Sequence, residues 1–318
     1  MQQTVEVEVA EINQVTPLIK QFRFQPTYIN TLPPFSGGSH IIVILQTPDR
    51  EFRNPYSLIS SPRNLSHYEI AVRRKEDGRG GSVFLHDQLN VGSRLRVTSP
   101  LNFFPLVKLA RKHLFVAGGV GITPFLTMID DLRGTEVMWE LHYATRSIED
   151  AYYGLRLREK HGQRVHLYYD DAGHRINFLH ILADQPLGTH VYTCGPLGMM
   201  NAVRREATAV GWSNSHIHSE EFKAPTVGVP FDAYLSKSKK LINVPSELSL
   251  LESIETAGVS VPNLCRGGVC GKCETNVLEV DGQLVHNDHW LTEAQKASGK
   301  KLMCCVSRLE GARLVLDI

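Results

Sequence analysis

Apolar and polar positions follow two different rhythms along this chain. Between residues 5 and 106, short runs of β-branched, aromatic and aliphatic residues are separated by turn-forming ones, at 41–45 (Ile-Ile-Val-Ile-Leu), 68–72 (Tyr-Glu-Ile-Ala-Val) and 94–97 (Arg-Leu-Arg-Val). Little of this stretch has a helical period apart from residues 83–89, so the pattern predicts a small antiparallel β-barrel. From His113 the grammar changes. Strand-like runs at 113–117, 137–143, 165–169, 190–193 and 216–219 alternate with helix signals after Thr123, Asp150, Asn177 and Leu197. That alternation predicts a doubly wound α/β domain around a parallel sheet. Residues 223–230 lack periodicity and carry two prolines and a glycine, which predicts a linker. Beyond Phe231 come a strand, a polar turn, a second strand, an apolar helix at about 250–257 and a cysteine-rich loop. The expected organisation is multidomain: 1–106 barrel, 107–223 α/β domain, 224–230 linker and 231–318 C-terminal domain.

Composition narrows the class. The 318 residues suffice for two or three separate cores, and 34 Lys+Arg against 33 Asp+Glu leave no overall field for nucleic acid or an anionic membrane. The start, Met1-Gln2-Gln3-Thr4, has no basic segment followed by an apolar one. The longest apolar stretch, residues 114–129, is interrupted by Gly118, Gly119, Gly121 and Pro124 and is too short to span a bilayer. A soluble cytoplasmic monomer with no nucleic-acid or membrane partner is expected. Of six cysteines, Cys194 stands alone and Cys265, Cys270, Cys273, Cys304 and Cys305 crowd the last quarter. Clustering of that kind points to metal ligands or redox groups rather than disulfides.

The run Cys265-Arg-Gly-Gly-Val-Cys270-Gly-Lys-Cys273 has C-x4-C-x2-C spacing, the arrangement of a plant-type [2Fe–2S] cluster, with a distant fourth thiolate. Each iron needs two thiolates, and Gly267, Gly268 and Gly271 permit the positive φ values by which one loop wraps a cluster. A zinc knuckle would show paired C-x2-C units, and only one is present. Cys304 and Cys305 compete for the fourth position. In a strand over 301–307 neighbouring side chains face opposite ways, so one of the two faces the cluster and the other is a small buried hydrophobe.

Gly118-Gly119-Val-Gly121-Ile-Thr123-Pro124 follows a strand and opens a helix. Glycines there let a pyrophosphate approach the backbone, and Thr123 and Pro124 suit a helix start whose dipole faces phosphate. A second turn, Cys194-Gly195-Pro196, also follows a strand. Asp170 and Asp171 close the third strand of this domain, where a carboxylate accepts from an adenosine ribose; Arg146, after the second strand, would instead favour a 2′-phosphate. In the barrel, Arg74 and Gly78-Arg79-Gly80-Gly81-Ser82 offer a cation, backbone N–H groups and a hydroxyl to a phosphate.

Arg53-Asn-Pro-Tyr56-Ser57 resembles the Arg-x-Tyr-Ser signature of ferredoxin-reductase-type flavin barrels, with one more residue between Arg and Tyr. Together, the flavin barrel, nicotinamide domain and C-terminal ferredoxin, in that order, resemble the phthalate dioxygenase reductase family over essentially the whole chain. The resemblance implies a β-grasp ferredoxin domain, FMN, NADH as donor and a Rieske-type non-haem iron oxygenase as acceptor, of the carnitine or aromatic-acid type. It implies Arg53 on the flavin phosphate, Tyr56 on the ring, Ser57 near the reactive nitrogen and Phe222 covering the flavin face. Arg74, Gly81 and Ser82 complete the flavin seat, and Gly119, Gly121, Thr123, Asp170, Gly195 and Pro196 the nicotinamide seat. Cys194 lies by the nicotinamide as a packing and positioning group, so Ser57 and Cys194 are the residues expected beside the reacting atoms. The resemblance also favours Cys305 as the fourth ligand. Within the cysteine loop, residues 266–269 are expected at an exposed edge, with Arg266 steering the oxygenase. His286 and His289 are expected to be surface or structural.

Overall fold

The structure, a computed structural model, describes residues 3–47, 50–222 and 227–318. It divides into two compact units, Met1–Phe222 and Lys223–Ile318. Part of the expected linker, residues 223–226, lies outside the described residues.

The first unit opens with β1 (Thr4–Thr16), β2 (Ile19–Pro26), β3 (His40–Gln46), β4 (Glu51–Ser57), β5 (Tyr68–Arg73), helix α1 (Gly81–Asp87) and β6 (Arg94–Thr98). The strands form one antiparallel sheet in the order β4-β3-β6-β1-β2-β5. Its two edges meet: Leu58, just past β4, bridges Ile70 of β5, and the Ile59 N–H donates to the Glu69 carbonyl at 2.8 Å. The sheet therefore closes as a barrel, which removes the unpaired edges. Alternate positions fill it, among them Val7, Phe22, Phe24, Ile41, Val43 and Val97, and Leu85 of α1 joins the same core.

A second layer continues through β7 (Lys112–Gly118), α2 (Thr123–Asp131), β8 (Met138–Thr145), α3 (Tyr152–His161), β9 (Val165–Tyr169), α4 (Phe178–Ala183), β10 (Thr189–Cys194), α5 (Leu197–Ala209) and β11 (Ile217–Glu220). All neighbours in the order β11-β10-β7-β8-β9 run parallel. The chain leaves β7 on one side and returns to β10 on the other, so strand order reverses between those two. Open α/β sheets bind ligands at the carboxyl ends of such a pair. Barrel and sheet share a core in which Ile19, Ala71 and Phe104 meet Phe115, Phe125 and Met128. The Gly38 N–H donates to Thr127 Oγ1 at 3.0 Å and the Val107 N–H to the Tyr192 hydroxyl at 2.8 Å, which fixes the two layers to each other.

The second unit comprises β12 (Phe231–Leu235), β13 (Lys240–Val244), α6 (Leu250–Thr256), β14 (Glu274–Val285), α7 (Glu293–Ala297), β15 (Lys301–Met303) and β16 (Arg308–Leu316). Its sheet order is β13-β12-β16-β14-β15, with β12 and β16 parallel and the other pairs antiparallel. Leu250, Leu251 and Ile254 of α6 sink into the core on this sheet, the β-grasp arrangement. A capping box between Ser249 and Glu252 starts α6 by satisfying its first N–H groups. Among the described residues no helix is long and apolar enough to cross a membrane.

Candidate functional site

Three sulfurs from the loop between α6 and β14 and one from the turn after β15 meet as two pairs. The Cys265 N–H donates to Cys270 Sγ at 3.5 Å and the Gly267 N–H to Cys265 Sγ at 3.4 Å, while Cys273 Sγ and Cys305 Sγ lie 3.2 Å apart. Arg266, Gly268 and Gly271 hold φ values of 53°, 75° and 72°, turning the backbone so that amides point inward. A Cβ on Gly271 would lie 2.2 Å from the Trp290 ring, so nothing but glycine fits there. Within each pair the shared sulfur contact holds one thiol, Cys265 or Cys273, below the usual range and pushes its partner, Cys270 or Cys305, above it. Two converging sulfur pairs, three of the four sulfurs buried, with amides directed at the Cys265–Cys270 pair, fit a [2Fe–2S] cluster, one pair for each iron. Cys304 differs. Its Sγ lies 3.0 Å from Thr275 Oγ1, and burial pushes its thiol up to about 12. The strand expected over 301–307 ends at Met303 and residues 304–306 turn. Strand alternation therefore does not separate the adjacent cysteines; the turn does. Arg266 also departs from expectation. It is only 8% exposed, and its guanidinium is paired with Glu255 at 2.6 and 2.8 Å. A side chain committed to an ion pair inside the fold cannot steer a partner at an exposed edge, although Val269 of the same loop is exposed.

At the carboxyl ends of β7 and β10 two turns touch through their backbones. A Cβ on Gly121 would lie 2.3 Å from the Cys194 carbonyl oxygen and 2.8 Å from the Gly195 nitrogen; one on Gly118 would lie 2.6 Å from Pro196 Cδ. Gly119, at φ 54°, faces open space, leaving its backbone approachable. Thr123 is buried and donates its hydroxyl to the Val120 carbonyl at 3.0 Å, tightening the entry to α2. Cys194 is fully buried, and burial followed by the nearby Glu220 carboxylate pushes its thiol well up. A neutral thiol there packs into the core shared with Phe115 and Tyr192. Glu220 sits opposite Cys194 in the parallel register. Its Oε2 is buried without a hydrogen-bond partner, and burial pushes its carboxyl up to about 8. Phe222, two residues on, is exposed. Asp170 follows β9 in an exposed turn, its Oδ1 3.9 Å from Arg175 Nε. The Asp171 N–H donates to the Arg146 carbonyl at 3.0 Å, so both groups proposed to read the adenosine end belong to adjoining turns.

The barrel supplies the third seat, with one correction. β4 pairs with β3 in unbroken register from Glu51 to Ser57, so no bulge absorbs the extra residue between Arg53 and Tyr56. Strand alternation then puts Arg53 on the opposite face from Tyr56. The Arg53 guanidinium pairs with Glu51, which also meets Arg96. Asn54 shares the Tyr56 face and donates Nδ2–H to the Tyr56 hydroxyl at 3.3 Å. The same carboxamide abuts Gly81, where a Cβ would lie 2.1 Å from Asn54 Nδ2. Burial pushes the Tyr56 phenol up to about 12. Ser57, buried, ends the strand opposite His40. Gly80, at φ 96°, leads into α1; Ser82 Oγ accepts from the Lys75 N–H at 3.1 Å, and Arg74 is paired with Glu76 and Asp87.

Comparison with known proteins agrees with this division. The oxidoreductase FAD-binding domain family matches residues 6–105, the dimethylamine monooxygenase subunit DmmA-like N-terminal domain 99–217, and the 2Fe-2S iron-sulfur cluster binding domain 234–310. The solved structure of phthalate dioxygenase reductase, described as a modular structure for electron transfer from pyridine nucleotides to [2Fe-2S], superposes with a TM-score of 0.87 at 32% identity, covering 99% of this chain and 98% of that one. This chain belongs to the phthalate dioxygenase reductase family. A carnitine monooxygenase reductase subunit of Acinetobacter baumannii is 44% identical over 98% of this chain and 96% of its own length. The heme-dependent oxidative N-demethylase beta subunit of Ectopseudomonas mendocina is 43% identical over the full length of both. The chain is thus an oxidoreductase, the reductase component of an oxygenase system, with flavin and [2Fe–2S] domains that carry electrons to the oxygenase component.

Within this phthalate dioxygenase reductase-type fold, two residues went unread in the sequence. Asn54 had a visible signal, since it stands two residues before Tyr56, the spacing that keeps side chains on one strand face. Glu220 had none, because only the parallel register of β10 and β11 brings it beside Cys194.

Proposed function

We propose that this chain is the NADH-oxidising, FMN-containing reductase of a Rieske-type non-haem iron oxygenase, acting as a cytoplasmic monomer. The observation that carries the reading is the presence, in one chain, of two touching glycine turns at a strand-order reversal and two paired sets of cysteine sulfurs. A bound flavin would supply two-electron acceptance from a reduced nicotinamide and one-electron release toward the cluster. The chain's own residues hold the geometry. Gly119, Gly121, Gly195 and Pro196 admit the dinucleotide backbone, and Asp170 accepts from its ribose. Tyr56 and Ser57 pack and hydrogen-bond the flavin ring, with Asn54, Gly81 and Ser82 at its phosphate end and Phe222 over its face. Cys265 with Cys270 would hold one iron, and Cys273 with Cys305 the other. The barrel, α/β, linker and ferredoxin segments are taken as 1–106, 107–223, 224–230 and 231–318.

One observation favours a second acceptor. A relative as similar as the carnitine-system reductase carries the name of a heme-dependent N-demethylase subunit, so a haem oxygenase is the alternative partner. Chromatography of the flavin released by acid, kcat/KM for NADH against NADPH, and stopped-flow reduction of each oxygenase type test the three parts separately. FMN, an NADH preference and rapid reduction of a Rieske protein are expected. FAD, an NADPH preference, or reduction of a haem partner alone would each overturn the corresponding part.

A further inference from the structure

Away from both turns, three ligand-bearing side chains meet on the face of β8 and β9. Glu140 and His142 are two apart on β8 and so share a face, and His166 on β9 stands beside His142 in register. His142 Nε2 and His166 Nε2 each lie 3.0 Å from the same oxygen, Glu140 Oε1, and the three candidate ligand atoms all fall within 4.8 Å of one another. Zinc bonds to nitrogen and carboxylate oxygen of about 2.0–2.2 Å put neighbouring ligands of a tetrahedron roughly 3.3 Å apart. Two of the three spacings, both 3.0 Å, already lie near that value.

The remaining atoms of two of these side chains are already anchored. Lys112 Nζ holds the other carboxylate oxygen, Glu140 Oε2, at 2.7 Å, and the Tyr168 hydroxyl meets His142 Nδ1 at 2.9 Å. The two imidazoles stack with centroids 4.6 Å apart and planes 9° from parallel. Metal-binding imidazoles and carboxylates are oriented in this way by outer partners. The fourth side is open: a cleft of about 510 Å³, lined by Trp139, Gln163 and Arg164 as well as Lys112, Glu140 and His166, gives access. A hydrogen-bonded trio alone would explain the contacts among the three. It would not require both outer atoms to be fixed while three ligating atoms converge at a solvent-accessible cleft.

We propose that Glu140, His142 and His166 form a binding site for a divalent transition-metal ion of the zinc class, with its fourth position open to water or a small anion. Lys112 and Arg164 nearby weaken it relative to a dedicated four-ligand centre, so the site takes up exchangeable metal. The ligands lie on the sheet face rather than at the carboxyl ends of the strands, so the ion has no part in the route from nicotinamide to cluster.

The test is calorimetric titration of Zn²⁺ into tag-free protein carrying its flavin and cluster, with visible absorption recorded throughout. One equivalent should bind with the cluster spectrum unchanged. His166→Ala, at a partly exposed position, should lower the affinity at least 10-fold, and Tyr168→Phe, which keeps all three ligands, by about 10-fold. His216→Ala, on another histidine-rich edge of the same sheet, should leave the equivalent intact. No Zn²⁺ uptake by the native holoprotein, undiminished uptake by His166→Ala, or uptake only as the cluster absorption is lost would overturn the proposal.

Discussion

Gly121→Ala is the smallest change that strikes the seam between the two glycine turns proposed to receive the dinucleotide. Its Cβ would lie 2.3 Å from the Cys194 carbonyl oxygen and 2.5 Å from the carbonyl carbon, about 1 Å short of ordinary contact. Both atoms are backbone, so no rotamer change relieves the clash; β7 and β10 turns must move apart. Overpacking of this kind costs about 1–3 kcal/mol of stability. The larger effect falls on function, because a misplacement of about 1 Å at a reacting pair can lower the rate by roughly 100-fold. Stopped-flow bleaching of the flavin by NADH should therefore show kcat/KM falling about 100-fold, with flavin content and cluster absorption preserved. Gly198→Ala is the matched control. It lies in α5 with nothing within 4 Å of an added Cβ, and should be neutral or slightly stabilising. Native rates and native stability for Gly121→Ala would refute the close-contact argument, and with it the idea that these turns are held together by the absence of side chains.

Three further outcomes are expected. Cys305→Ala should abolish or strongly destabilise the cluster, whereas Cys304→Ala should leave its absorption nearly intact at the cost of a small core cavity; the reverse result would move the fourth ligand by one residue. Glu220, whose carboxyl stays protonated up to about pH 8 in the fold but ionises near 4.5 when unfolded, should lose stability relative to Glu220→Gln as pH rises from 4.5 through 8 and level off above that. Urea midpoints for both proteins between pH 5 and 9 measure this, and a pH-independent difference would show that the folded carboxyl is not held neutral. Asn54→Asp should weaken flavin binding to the apoflavoprotein by about 10- to 100-fold, the size of a lost hydrogen bond to a charged group, while Arg53→Gln leaves it unchanged; fluorescence titration giving the opposite ranking would restore Arg53 to the phosphate.

Much of this architecture was legible because its signals are local. The five α/β strands were expected within about two residues of where they lie, since buried parallel strands read as short apolar runs between helix signals. The cysteine loop declared itself through spacing within nine residues. What escaped were long, solvated elements. β14, from Glu274 to Val285, is mostly exposed, and its pairing with β16 shifts register twice, so its polar sequence carries little alternation to read. The turn at 304–306 escaped for a related reason, because its residues are as apolar as a strand's.

The flavin signature shows how counting along a chain and counting across a fold can part. By name, Arg53 matched the family's arginine; by face, it could not, because an unbroken ladder leaves an odd separation nowhere to go but the far side of the sheet. The position that faces the Gly80–Gly81 turn with Tyr56 is occupied by a neutral carboxamide. Asn54 can offer its N–H groups to a phosphate but no charge, so the cation must come from elsewhere. Arg74, the cation read in the sequence, is paired with Glu76 and Asp87, whereas Arg50, just before the strand, reaches the Arg79 carbonyl and stacks 4.2 Å over the Phe52 ring. On the proposed flavin seat, hydrogen bonding would then fall to Asn54 and charge to Arg50.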